Sequence, residues 1–166
     1  MSPQSALAWL AATPGSVALH ESHYVFLAVL TVHVLTLFFF AGMAAVIDLR
    51  LLGWMLRDVP ASRLVPRLVP WAAGGMAVMV MSGSLLFYAA PLDRANSVFF
   101  RTKLVLLGLA AVNVAIFHGT IYRRVTEWDR DAPPPVQARI AGAIGLALWA
   151  CVIVAGRMIP YERYWF

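Results

Sequence analysis

The sequence predicts an all-α integral membrane fold: an antiparallel up-and-down bundle of four transmembrane helices, with a short N-terminal helix lying at the interface. Three observations carry that prediction. Of 166 residues, 61% are hydrophobic and only 13% charged, and the mean hydropathy is +0.77, which excludes a water-soluble single-core domain. Crossing a hydrocarbon core of roughly 30 Å takes about 20 apolar residues, and the chain offers four such stretches. The connections between them are short, so residues 1–166 form a single membrane domain with no room for a soluble one.

In chain order, residues 3–12 (PQSALAWLAA) predict the short interfacial helix, stopped by Thr13-Pro14-Gly15, with Trp9 suited to the membrane surface. The N-terminus has no Lys/Arg-rich leader, so it is expected to be retained. The first span runs from about Tyr24 to Ile47 and ends in DLRLLGWMLRD, where Asp48 and Arg50 are expected to be locally paired charges and Trp54 marks the headgroup level. PASRLVPRLVP follows, with Pro60, Pro66 and Pro70. Because proline breaks helices and restricts the preceding residue, this stretch predicts a stiff basic loop.

The second span, about Trp71 to Ala90, carries Gly74, Gly75, Ser82, Gly83 and Ser84, small residues that allow close approach of a neighbouring helix or a flat ligand. The third runs from about Val98 to Ile121 and closes in a charged turn and the prolines of DRDAPPP, residues 129–135. The fourth, about Ile140 to Ile159, ends in GRMIPYERYWF, an aromatic belt with Arg157 and Arg163. The simplest arrangement is the four-helix bundle, with its sites between helices.

Charge sets the expected topology. The net charge of +5 resides at span ends and in loops rather than in a basic stripe between aromatics, which argues against nucleic-acid binding. Arg50, Arg57, Arg63 and Arg67 follow the first span and Arg123, Arg124, Arg130 and Arg139 the third, against none in the first 23 residues. By the positive-inside rule those loops are cytoplasmic and both termini periplasmic, in a bacterial inner membrane. Arg94, Arg101 and Lys103 in the second loop pull the other way. Cys151, the single cysteine, precludes a disulfide framework or a Cys-based zinc site within one chain.

A polar side chain inside the bilayer needs a partner or a cavity. His33 lies about eleven residues below the outer boundary, roughly 15 Å and close to the midplane. There a histidine serves as heme or metal ligand, as proton relay, or as a polar rivet to a neighbouring helix. His118 lies about nineteen residues into the third span, so the two histidines differ in depth by roughly 12 Å and do not clamp one iron. His20 and His23, three apart, offer a surface pair for copper or zinc, or a ligand for an outer heme, and equally read as solvated interfacial side chains.

Met76, Met79 and Met81 are the thioethers on offer. Met79 matches the depth of His33 and shares a face with Gly75 and Gly83, where a flat macrocycle would fit; apolar filling is the simpler role. Lys103 and Arg157 fall on the side of His20 and His23, placed to neutralise heme propionates or another carboxylate, or to snorkel to the headgroups. The signatures of soluble enzymes, G-x-S-x-G, a P-loop, a dinucleotide fingerprint and H-E-x-x-H, are missing, so any chemistry belongs to a cofactor or a partner.

Three segments carry a family resemblance: HVLTLFFFAGMAAVIDLR from His33 to Arg50, Ser82-Gly83, and FRTKLVLLGLAAVN from Phe100 to Asn113. They resemble the membrane module shared by copper-resistance D (CopD) proteins and HemJ-type protoporphyrinogen oxidases, with a first-span His, a small-residue pair about nine or ten residues on, and a Lys-Leu opening a later span. The resemblance touches three of the four spans. It implies a heme b-associated four-helix scaffold in which His33 and Lys103 match positions that HemJ-type proteins use. The Asn-Glu-x-Pro element of HemJ-type proteins is replaced here by residues 129–135.

The resulting expectation is a small cytochrome b-like membrane protein that transfers electrons, or passes redox equivalents between quinone and an outer redox partner. His33 is the expected iron ligand, with His118 or His23 as a second and Lys103 and Arg157 near the propionates. A HemJ-like oxidase, a copper-binding or copper-import protein using His20 and His23, and a structural subunit of a homo-oligomer or larger complex stand as alternatives.

Overall fold

The computed structural model describes residues 2–129 and 134–164, and outside Arg163 it describes their side chains; Arg130 and the proline run's first member fall outside the described residues. Among the described residues there is helix and no strand. α1 (Pro3–Ala11) starts at Ser2, whose hydroxyl accepts from Ser5 N, and each of α1 and α2 (Pro14–Glu21) has proline in its first turn, where a missing N–H costs nothing. The N-terminal stretch is therefore two short helices rather than the single one expected.

Ser22 caps α3 (His23–Leu52), a 30-residue helix ended by Gly53. Gly53 is in the left-handed region at φ 75°, Gly53 N and Trp54 N close back on Leu49 O, and a Cβ at Gly53 would lie 3.2 Å from Pro134 Cδ. Both the turn and the close approach require glycine here.

α4 (Ala61–Ala89) overturns the expected proline loop: Pro66 and Pro70 lie inside the helix, and the connection shrinks to residues 53–60. Two things outweigh the prolines. The first-turn N–H groups, which lack intrahelical partners in any helix, are held by Asp129: its carboxylate accepts from Ala61 N, from Ser62 N at 3.2 Å and from the Ser62 hydroxyl. Ala61 and Val65 are meanwhile buried almost completely, so the early turns are fixed by packing as well as by their cap.

α5 (Pro91–Asn96) leads through the Ser97 cap into α6 (Val98–Ile116), whose Val98 N also donates to Glu162 at 2.7 Å. The helix widens into a π turn over Phe117–Ile121, tightens to 3-10 over Tyr122–Arg124 and ends in α7 (Val125–Trp128). α8 (Val136–Met158) completes the set and passes into 3-10 turns at Ile159–Tyr164. α3, α4, the continuous run Val98–Trp128 and the run Val136–Glu162 are each long and apolar enough to cross a membrane.

The long helices pack in the spatial order α4, α3, α8, α6. Along α3 and α4, His33 meets Ser82 and Gly83 whereas Phe40 meets Gly75; along α3 and α8, Phe40 meets Trp149 edge-on at 4.7 Å whereas Leu51 meets Gly142. Contact positions thus rise on α3 as they fall on both neighbours. α4 and α6 make no extended contact with each other, and are bridged near α5 by Phe87 stacked on Phe100 at 5.5 Å. At that same end Thr13 and Ser16 hold Tyr88 through its hydroxyl and its carbonyl, each at 2.7 Å. At the α7 end Leu51, Phe117, Ala138 and Ala141 form the apolar core.

Candidate functional site

The candidate site begins with His33 on α3, whose ring lies against α4. Its Nδ1 lies 2.8 Å from Ser82 Oγ, and the ring carbon beside it is 3.3 Å from where a Cβ on Gly83 would sit. Ser82, 5% exposed, has one hydroxyl proton, and its Oγ also lies 2.7 Å from Val78 O, the usual back-bond distance of a serine inside a helix. In the Nδ1–H tautomer His33 donates to this oxygen and keeps the Nε2 lone pair for another group; in the Nε2–H tautomer Nδ1 accepts from Ser82 instead.

Lys103 stands across from it. α3 and α6 do not pack together, yet the ammonium is within Coulombic reach of the His33 ring, and its methylene stem and Nζ lie about a glycine's approach from α8, with Nζ 3.4 Å from a Cβ placed on Gly156. Among the described residues Lys103 forms no hydrogen bond or ion pair, and the charge that acts on it is the like-signed Arg94. The arrangement offers one nitrogen lone pair and one unneutralised cation, set in apolar helix walls. That chemistry suits a metal-bearing or protonated centre carrying an acidic group.

The remaining predicted residues are placed elsewhere. Met79 is one turn from Ser82 on α4, and its carbonyl takes a second, longer contact of 3.3 Å from the Ser82 hydroxyl. Arg157 is exposed and turned along its own helix, with Nη2 donating to Tyr161 Oη at 3.0 Å and its guanidinium 5.0 Å from the Tyr161 ring centre, so it does not join Lys103. His118 lies in the π turn at the opposite end, its Nδ1 3.0 Å from Val114 O and its ring against Phe117 and Tyr122. Single π turns recur at functional sites because they re-aim a side chain; this one turns His118 toward aromatic neighbours.

His20 lies in the last turn of α2 and His23 begins α3, with Ser22 between the helices in extended geometry, so the expected H-x-x-H spacing is not that of one continuous helix. Both are exposed. Among the described residues no group of three or more His, Cys, Asp or Glu side chains is arranged to hold a metal ion. Cys151 is exposed on α8.

Asp48 and Arg50 are the residues that sequence reasoning misread. Both are buried, at 9% and 3% exposure, and they are not paired: Arg50 Nε donates to Val59 O at 2.6 Å, fastening the 53–60 connection, while Asp48 turns to α8. Spacing decided this, since residues two apart on a helix point to different sides. A separate groove at the α7 end is lined by Thr120, Arg123, Arg124, Glu127, Trp128 and Gln137.

The helices define the class as an all-α, multi-pass membrane protein. No protein-family model, curated protein or solved structure matches the chain.

Proposed function

We propose that the protein is a small b-type heme-binding membrane protein that transfers electrons, its helices forming an antiparallel up-and-down bundle with both termini on the periplasmic side of a bacterial inner membrane and α1 at the interface. The observation that carries the reading is the His33–Ser82 hydrogen bond. A histidine that ligates a metal through one nitrogen almost always donates from the other to a fixed acceptor, which orients the ring and raises its basicity. In the Nδ1–H tautomer Ser82 is that acceptor, with its own proton turned back toward Val78 O.

The residues fit heme in three respects. Nε2 of His33 supplies a ligand, the glycine at position 83 keeps α4 low beneath the ring, and Lys103 offers a cation for a propionate. When bound, heme supplies one-electron chemistry at a potential set by its ligands and surroundings. The chain's own part is to hold the ring of His33, exclude water with apolar helices, and balance acidic charge with Lys103. The likeness of His33, Ser82-Gly83 and Lys103 to the CopD and HemJ-type module supports the same reading, and a quinone or a periplasmic redox partner is the electron source or sink it implies.

The test is the absorbance of protein purified after expression with ample heme, oxidised and then reduced with dithionite. A Soret band that shifts on reduction is expected. Colourless protein would overturn the proposal and leave His33 as a rivet between α3 and α4.

A further inference from the structure

The other polar residue inside α3 carries an inference of its own, independent of heme. Asp48 is 9% exposed, and neither carboxyl oxygen has a hydrogen-bond or ion-pair partner among the described residues, with Oδ2 sealed from solvent. The wall against it is α8: a Cβ on Gly145 would lie 2.6 Å from Oδ2 and 2.7 Å from Oδ1, and one on Gly142 would lie 2.7 Å from the Asp48 carbonyl. Two glycines thus bring a helix backbone flush against a carboxyl group whose Oδ2 is closed off from solvent.

Among the described residues the elements around Asp48 supply no counter-charge. On α3, Arg50 is committed to Val59 O. On α8, Gly142 and Gly145 face it, and Arg139 is exposed. Arg63 and Arg67 of α4 are exposed too. From the third span Asn113 spends its amide on Ala141 O at 3.0 Å, while Tyr122 and His118 stack with Phe117. An ionised carboxylate so enclosed would be uncompensated, which folded proteins avoid by keeping the group neutral. A metal cation in its place would need several oxygen ligands, and the described residues gather no second carboxylate here.

We propose that Asp48 is a proton-binding site of the membrane domain, occupied while α3 and α8 are in contact. Oδ2 meets water only when the α3–α8 contact at Gly142 and Gly145 loosens, so exchange of a proton held on that oxygen follows the contact. A buried acid between two spans is the kind of group that links proton movement to helix movement.

Infrared titration of the full chain in liposomes tests it. The expected result is a protonated-carboxyl C=O band that persists at neutral pH and is missing from Asp48→Asn. Absence of any such difference overturns the proposal. If the variant does not fold, the unsubstituted chain decides through dicyclohexylcarbodiimide: the acid O–H adds across one C=N bond and the acyl group moves from O to N, so the whole reagent stays on Asp48 as an N-acylurea. Peptide mass mapping should find that adduct on Asp48, less of it as pH rises. No adduct on Asp48, or protection by sodium at fixed pH, would overturn the proton reading, the latter in favour of a cation site. Neither outcome alters the Soret test, so the two proposals fail separately.

Discussion

His33 and Asp48 stand on one helix, about four turns apart, and meet opposite fates. His33 faces α4 and finds Ser82; Asp48 faces α8 and finds only glycine. In both places small residues let the helices approach closely, so closeness alone does not satisfy a polar group. The difference is one hydroxyl. With it, the buried ring has a hydrogen-bond partner; without it, burial leaves a carboxyl group whose neutral form is the inexpensive one.

The sharpest way to break the comparison is His33→Ala, expected to abolish the Soret band entirely while the helical circular dichroism is retained; an undiminished band would move the heme, if present, to another ligand. Ser82→Ala is next. Losing the acceptor behind a ligating histidine typically costs about 10–100-fold in metal affinity, so heme titration should show that weakening, with thermal stability lower by only about 1 kcal/mol.

At the other pole, Gly142→Ala forces a methyl group to 2.7 Å from the Asp48 carbonyl oxygen, backbone that cannot swing aside, and should cost about 1–3 kcal/mol in detergent unfolding. Gly108→Ala, with nothing within 4 Å of its would-be Cβ, is the control and should be neutral or mildly stabilising. Asp48→Ala sharpens the contrast in sign: removing an unsatisfied polar group is expected to leave the melting temperature unchanged or raise it, where Ser82→Ala lowers it. Asp129→Ala, which uncaps α4, should lower stability by about 1 kcal/mol in the same unfolding measurement.

The long helices were legible because length and apolarity are summed properties, and the depth of His33 followed from counting. What stood opposite His33 was not, although Ser82 was visible as a small residue; only the helix register decides whether its hydroxyl or the glycine beside it meets the imidazole. The prolines misled for a related reason. Pro66 and Pro70 argue locally against helix, and the opposing argument comes from Asp129, distant in sequence and drawn near by the fold. The π turn at His118 left no sequence signal that we can identify. Asp48 and Arg50 looked like partners because they are close in sequence, and helical geometry separates them.

Asp129 has a consequence for how the chain is made. The α4 N-terminus is capped by a residue 68 positions later, and the α6 N-terminus by Glu162, 64 positions later. Synthesis is vectorial, so each of these helices is inserted before the carboxylate that finishes its end exists. The second span must wait for the third to emerge, and the third for the fourth. Closure of each end thus follows insertion of the helix it finishes, and a chain cut short after the third span would keep the cap on α4 and lack the one on α6.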